Sequence, residues 1–157
     1  MTLMDAAQFD AARDRRRRRL ITALVLLILV AAWTAYHFRN YPHRRAVDRF
    51  FNALQAQKYE DAYGIWFNDP DWRQHPQKYS KYPFSDFYRD WGPGGEWGLI
   101  KSHSVDCSLS TDSGVIVQVT VNQRAERAYL YVLKSDRTLS FSPNEIQCGN
   151  WLGWLTE

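Results

Sequence analysis

The chain has 157 residues, and its excess of 20 Lys and Arg over 17 Asp and Glu is confined to one end. Residues 1–38 hold six arginines against three aspartates, whereas the remaining 119 residues hold fourteen basic and fourteen acidic side chains. A neutral stretch of that length makes one small domain, and it lacks the phosphate-neutralising charge that nucleic-acid binding needs.

Five consecutive arginines, Arg15, Arg16, Arg17, Arg18 and Arg19, run directly into an apolar segment from Leu20 to Phe38. From Leu20 to Tyr36 the only polar side chains are two threonines and a tyrosine, and no polar face emerges at helical spacing. At 1.5 Å per residue the segment spans roughly 28 Å, close to the hydrocarbon thickness of a bilayer. Trp33 and Tyr36 sit at the end away from the arginines, where amphipathic rings favour the headgroup region. The pattern predicts a basic cytoplasmic leader over 1–19, a membrane-spanning helix over 20–38 and an extracytoplasmic domain over 39–157. The denser arginines on the amino-terminal side give this orientation by the positive-inside tendency, and they touch anionic lipid headgroups. A signal peptide cleaved after the small residues Val30-Ala31-Ala32 is the competing reading, opposed by the apolar run that continues through Trp33 and Tyr36.

Tyr41-Pro42 separates this segment from a second helix, predicted over 43–57, whose apolar stripe is Ala46, Val47, Phe50, Phe51 and Leu54. A short helix opens at Lys58-Tyr59 and ends at the turn residues Asp69-Pro70-Asp71. Ser85 is a candidate cap for a third short helix that ends at Trp91-Gly92-Pro93. From Glu96 the apolar period becomes two. A first strand is predicted over 96–109, a half-buried strand over 115–122, another over 127–133 and a last short one over 138–141, joined by short polar turns. Helices followed by an antiparallel meander of about four strands make an α+β domain, with about three helices packed on one sheet face.

The run Phe50-Phe51-Asn52-Ala53-Leu54-Gln55-Ala56-Gln57-Lys58-Tyr59-Glu60-Asp61-Ala62-Tyr63 resembles the opening of domains in the nuclear transport factor 2-like superfamily. There an apolar helix, a short aromatic and acidic helix and a curved antiparallel sheet form a cone, so the resemblance implies a cone-shaped α+β fold. It is similar to membrane-anchored members of that superfamily in bacteria, which implies the inner membrane as the location. The superfamily has no universal catalytic residue, so none is carried over. The plan of short tail, one span and outer domain is similar to the bitopic inner-membrane subunit of type IV secretion systems.

Half of the chain's aromatic side chains fall between Tyr59 and Trp97. Trp66, Trp72, Tyr79, Tyr82, Phe87, Trp91 and Trp97 are candidates to line a pocket in the cone or to form a docking surface. Large rings that fill a small core are the plainer reading. In isomerase- and dehydratase-like members of the superfamily a carboxylate or histidine in the cone acts as base. The corresponding candidates here are Asp86, Asp106 and His103, with Tyr79 or Tyr82 as a donor. Cys107 and Cys148 both lie in the outer domain, where an oxidising compartment permits a bridge; two buried thiols are the alternative. Cysteine and histidine spacings match no metal motif, Gly92-Pro93-Gly94-Gly95 lacks the Gly-Lys-Ser/Thr ending of a phosphate loop, and no cofactor is expected. Trp151-Leu152-Gly153-Trp154-Leu155 is a flap or a docking segment. The leading expectation is a non-catalytic interaction or ligand-binding module of the cell envelope, such as an assembly or secretion-complex subunit. Its partners would be an envelope protein, a small apolar ligand or a second copy of the chain. The alternative is a small-molecule isomerase, dehydratase or hydrolase using the cone.

Overall fold

The computed structural model describes residues 11–148, which places Trp151 to Leu155 outside the described residues. The chain divides into two units, Met1–Arg39 and Asn40–Glu157. Among its described residues the first is one helix, α1 (Ala11–Phe38), which begins before the arginine run and continues through it. Its large apolar side chains are exposed on every side, Leu20, Leu24, Leu27 and Val30 each by more than half. Among the described residues it supplies the one apolar span long enough to cross a membrane, with mean hydropathy 2.0.

Among its described residues the second unit has three helices, α2 (Tyr41–Gln55), α3 (Tyr59–Trp66) and α4 (Phe84–Trp91), with two 3-10 turns between the last two. A four-stranded antiparallel sheet follows, β1 (His103–Ser110), β2 (Gly114–Val121), β3 (Arg127–Leu133) and β4 (Leu139–Phe141), in the order β1-β2-β3-β4. This is the expected α+β meander. Ala46, Val47, Phe50, Phe51 and Leu54, the predicted stripe of α2, are all buried and join one core with Val115, Val117, Val119 and Val121 of β2. Ala128, Leu130 and Val132 of β3 complete it, so the helices cover one sheet face.

Four of the differences from expectation have local reasons. The second helix starts at Tyr41, because Pro42 occupies the first turn, where its missing N–H costs nothing. It stops at Gln55, and Gln57 turns the chain with φ 58°. Ser85 is not the cap of α4: Pro83, extended at ψ 163°, precedes Phe84, and its carbonyl accepts from the amides of Asp86 and Phe87. The first strand begins at His103 instead of Glu96. Asn122, at φ 51°, accepts the Lys101 amide at 2.7 Å and the Ser102 amide at 3.3 Å through its side-chain oxygen. It donates to the Leu99 carbonyl at 3.0 Å and the Trp97 carbonyl at 3.3 Å. One side chain thus replaces a ladder for residues 97–102, and Gly98 supplies the bend with φ 61°.

Strand β2 is also buried on both faces, where a half-buried strand was expected. Ile116 and Gln118 alternate away from the helices yet are only 3% and 7% exposed. Cys107 stands opposite Gln118 on that outer face and is bonded to Cys148, 41 residues further on, so the disulfide holds the segment after β4 against the sheet. Asp106 is the extra residue of a bulge between Val105 and Cys107. Its carboxylate accepts from Thr120 Oγ1 at 2.7 Å and Gln118 Nε2 at 3.2 Å, which satisfies the buried amide.

His43, in the first turn of α2, has a buried Nδ1 with no hydrogen-bond partner. Burial, and then the positive charges of Arg137 and Lys134, hold its pKa below the ordinary value of 6.5. Below pH 6.5 the unfolded chain therefore binds a proton that the folded chain resists, and stability falls with pH until the folded group also titrates. Denaturant midpoints measured from pH 8 downward are expected to drop below about 6.5, and His43→Gln is expected to flatten that drop.

Candidate functional site

The rings nominated by the sequence belong to two environments. Trp66, Tyr79, Phe87, Trp91 and Trp97 are buried core residues, whereas Trp72 and Tyr82 are half-buried against that core. Helix α3 places Tyr63 and Trp66 three residues apart on one face, and each becomes a hub. Tyr63 meets Trp72 at 4.6 Å, Phe67 at 5.0 Å, Phe87 at 5.2 Å and Phe84 at 5.5 Å, all edge to face. Trp66 meets Phe141 at 5.1 Å, Phe50 at 5.3 Å and Trp91 at 5.8 Å. Pairs at such spacings contribute roughly 0.5–1.5 kcal/mol each beyond area burial, so the rings fill the space between helices and sheet with interlocked contacts. At the sheet end Phe141 stacks parallel to Trp91 at 5.8 Å and remains 54% exposed, a half-open aromatic edge that the sequence pattern did not reveal.

The polar ends of these rings are spent inside the fold. Tyr63 donates to the Tyr82 carbonyl at 2.7 Å, and burial pushes its pKa up to about 12. Tyr82 donates to Asp90 at 2.9 Å, and burial followed by that carboxylate raises its pKa well above the ordinary tyrosine range. Tyr79 donates to Asp69, and burial and the carboxylate raise it likewise. All three stay protonated near neutral pH as donors to fixed acceptors. The Trp91 indole N–H is buried and closes no hydrogen bond of normal geometry, although it favours the ionised form of the adjacent Tyr82 hydroxyl.

The three candidate bases do not converge. Asp86 is on α4, paired with Arg89 at 3.1 Å in an i,i+3 contact. Asp106 is on the outer sheet face, held by Gln118 and Thr120 with Arg127 Nε at 3.8 Å. His103 lies at the seam between β1 and α2. Its ring stacks on Phe51 at 5.5 Å, with Nε2 3.1 Å from Asp48 and Nδ1 3.3 Å from Gln55. Spacing could not reveal this Asp48–His103–Gln55 bridge, because its members are 48 and 55 residues apart. No nucleophile accompanies it among these contacts, and the bridge fastens α2 to β1.

No family model, curated protein or solved structure matches this chain. Among the described residues no group of three or more His, Cys, Asp or Glu side chains is arranged to hold a metal ion. Three of the clefts among the described residues stand out, and none of these three is lined by Asp86, Asp106 or His103. One, about 370 Å³, lies between α2, α3 and the first 3-10 turn and includes Trp72. A second, about 450 Å³, lies beside Tyr59, Phe84 and Tyr88. The third, about 490 Å³, has Trp97 at its base with Arg124 over the ring at 5.9 Å and Lys101 at its margin. Of the seven nominated rings, only Trp72 and Trp97 line these openings.

Proposed function

We propose that the chain is a single-pass protein of a bacterial inner membrane. Its arginine-rich end lies in the cytoplasm, and its second unit works on the far side as a non-catalytic interaction or ligand-binding module. On this reading the second unit is a cone-shaped domain of the nuclear transport factor 2-like kind. The bulge at Asp106, a feature that bends a strand, suits a curved sheet. The exposed apolar helix behind Arg15–Arg19 and the Cys107–Cys148 disulfide support the location, since disulfides persist in oxidising compartments.

The observation that carries the module reading is the fate of the aromatic cluster. Trp66, Phe87 and Trp91, which a substrate pocket in the cone would expose, are at most 3% exposed and lock against one another. Recognition then falls to the outside of the domain, as in an assembly or secretion-complex subunit. Photo-crosslinking in native membranes from positions bordering the surface clefts is expected to recover a specific envelope protein, or a second copy of the chain, in a position-dependent way. Recovery of no adduct from any such position would contradict a docking role.

A further inference from the structure

The cleft between α2 and α3 is the one that three separate elements wall in, and its volume of about 370 Å³ is that of a small-ligand site. Gly64 is among its lining residues. A Cβ there would stand 3.1 Å from the Asp69 carbonyl oxygen and 3.3 Å from Trp72 Cδ1, so glycine lets residues 69–72 close onto α3 as a wall. That wall is rigid: Trp72 Nε1 donates to the Glu60 carbonyl at 3.2 Å, and its ring stacks on Phe84 at 5.5 Å. Asn68, at φ 49°, donates its amide N–H to the Asp136 carbonyl at 2.8 Å, leaving its side-chain oxygen without a partner among the described residues.

The charges in this cleft divide into two classes. Arg73 and Glu60 form an ion pair and neutralise each other. Arg49 from α2 and Asp61 from α3 also line the cleft, and among the described residues neither has an ion-pair or hydrogen-bond partner. A simple anion entering here gains Arg49 but meets Asp61, and a simple cation meets the reverse. A ligand that carries both charges gains from both.

We propose that this cleft binds small zwitterions of the α-amino-acid type. The carboxylate is held by the Arg49 guanidinium, whose planar fork suits it. The ammonium is held by Asp61 and the Asn68 oxygen, and the side chain rests on Ile65, Pro70 and the edge of Trp72. The proposal deepens the ligand-binding reading above and rests on it for the side of the membrane. Binding itself is read on the purified full chain, so a failed topology and a failed site give different results.

The test is an NMR titration of the full chain in nanodiscs, following the Trp72 indole N–H resonance, which is assigned by its loss in Trp72→Phe. Leucine is expected to shift it saturably, with a Kd of about millimolar order. N-acetyl-leucine, which lacks the ammonium, and leucine amide, which lacks the carboxylate, are each expected to bind about tenfold more weakly. Arg49→Gln is expected to weaken leucine and leave leucine amide unchanged. Asp61→Asn is expected to weaken leucine and leave N-acetyl-leucine unchanged. No saturable shift with leucine, or binding of both blocked analogues as tight as that of leucine on the unaltered protein, overturns the proposal, and that comparison needs no variant to fold.

Discussion

Phe50→Ala is expected to destabilise the second unit by about 3–5 kcal/mol, the cost of emptying a large buried ring site that cannot fully collapse. Phe50 is fully buried and sits where the helices meet. Its ring lies 5.0 Å from Trp91, 5.3 Å from Trp66 and Phe51, and 6.1 Å from Phe87. Four rings from three helices thus lose a partner together. A domain of this size has a total stability of about 5–15 kcal/mol, so the variant retains little margin. Phe141→Ala provides the contrast. Phe141 touches Trp66, Tyr82 and Trp91 but is 54% exposed, so its removal is expected to cost only about 1 kcal/mol. Denaturant midpoints of the two variants measure the difference. Similar small losses for both would mean that the rings line a tolerant opening instead of forming a core.

Removal of the disulfide is the second large effect. Cys107 and Cys148 are 41 residues apart, and closing a loop of that length stabilises the fold by about 4 kcal/mol in the chain-entropy account. The bridge also holds the segment that carries Ile146, which is 9% exposed although it lies outside the main core. The double variant Cys107→Ala with Cys148→Ala is therefore expected to unfold at markedly lower denaturant, and reductant is expected to shift the unaltered protein to the same midpoint. If reductant shifts the midpoint by less than about 1 kcal/mol equivalent, the bridge contributes little to this fold.

What the sequence made legible was local. The three- and four-residue spacing of Ala46, Val47, Phe50, Phe51 and Leu54 located the buried face of α2. The alternation in Arg127–Leu133 located β3 to the residue. The delayed start of β1 was hidden because it depends on Asn122, a residue some 20 positions downstream, bonding to four backbone groups. The burial of Ile116 and Gln118 was hidden because an alternating strand reports one covered face, whereas the cover on the other arrives with a disulfide partner 41 residues away. The candidate site was the least legible part. The aromatic cluster announced itself by density, and density cannot separate a core from a pocket. The α2–α3 cleft depends instead on Gly64 admitting a close backbone approach, together with two unpaired charges from different helices. Neither leaves a periodic trace.

On the proposed topology the arginine run and the apolar helix hold a folded, disulfide-bonded domain outside the cytoplasm. A reporter enzyme that is active only outside the cytoplasm, fused after Glu157, reads this topology. Reporter activity is expected in a full-length fusion that stays in the membrane fraction after alkaline extraction. Activity from a cytoplasm-dependent reporter at the same position, or release of the fusion from the membrane, would contradict it.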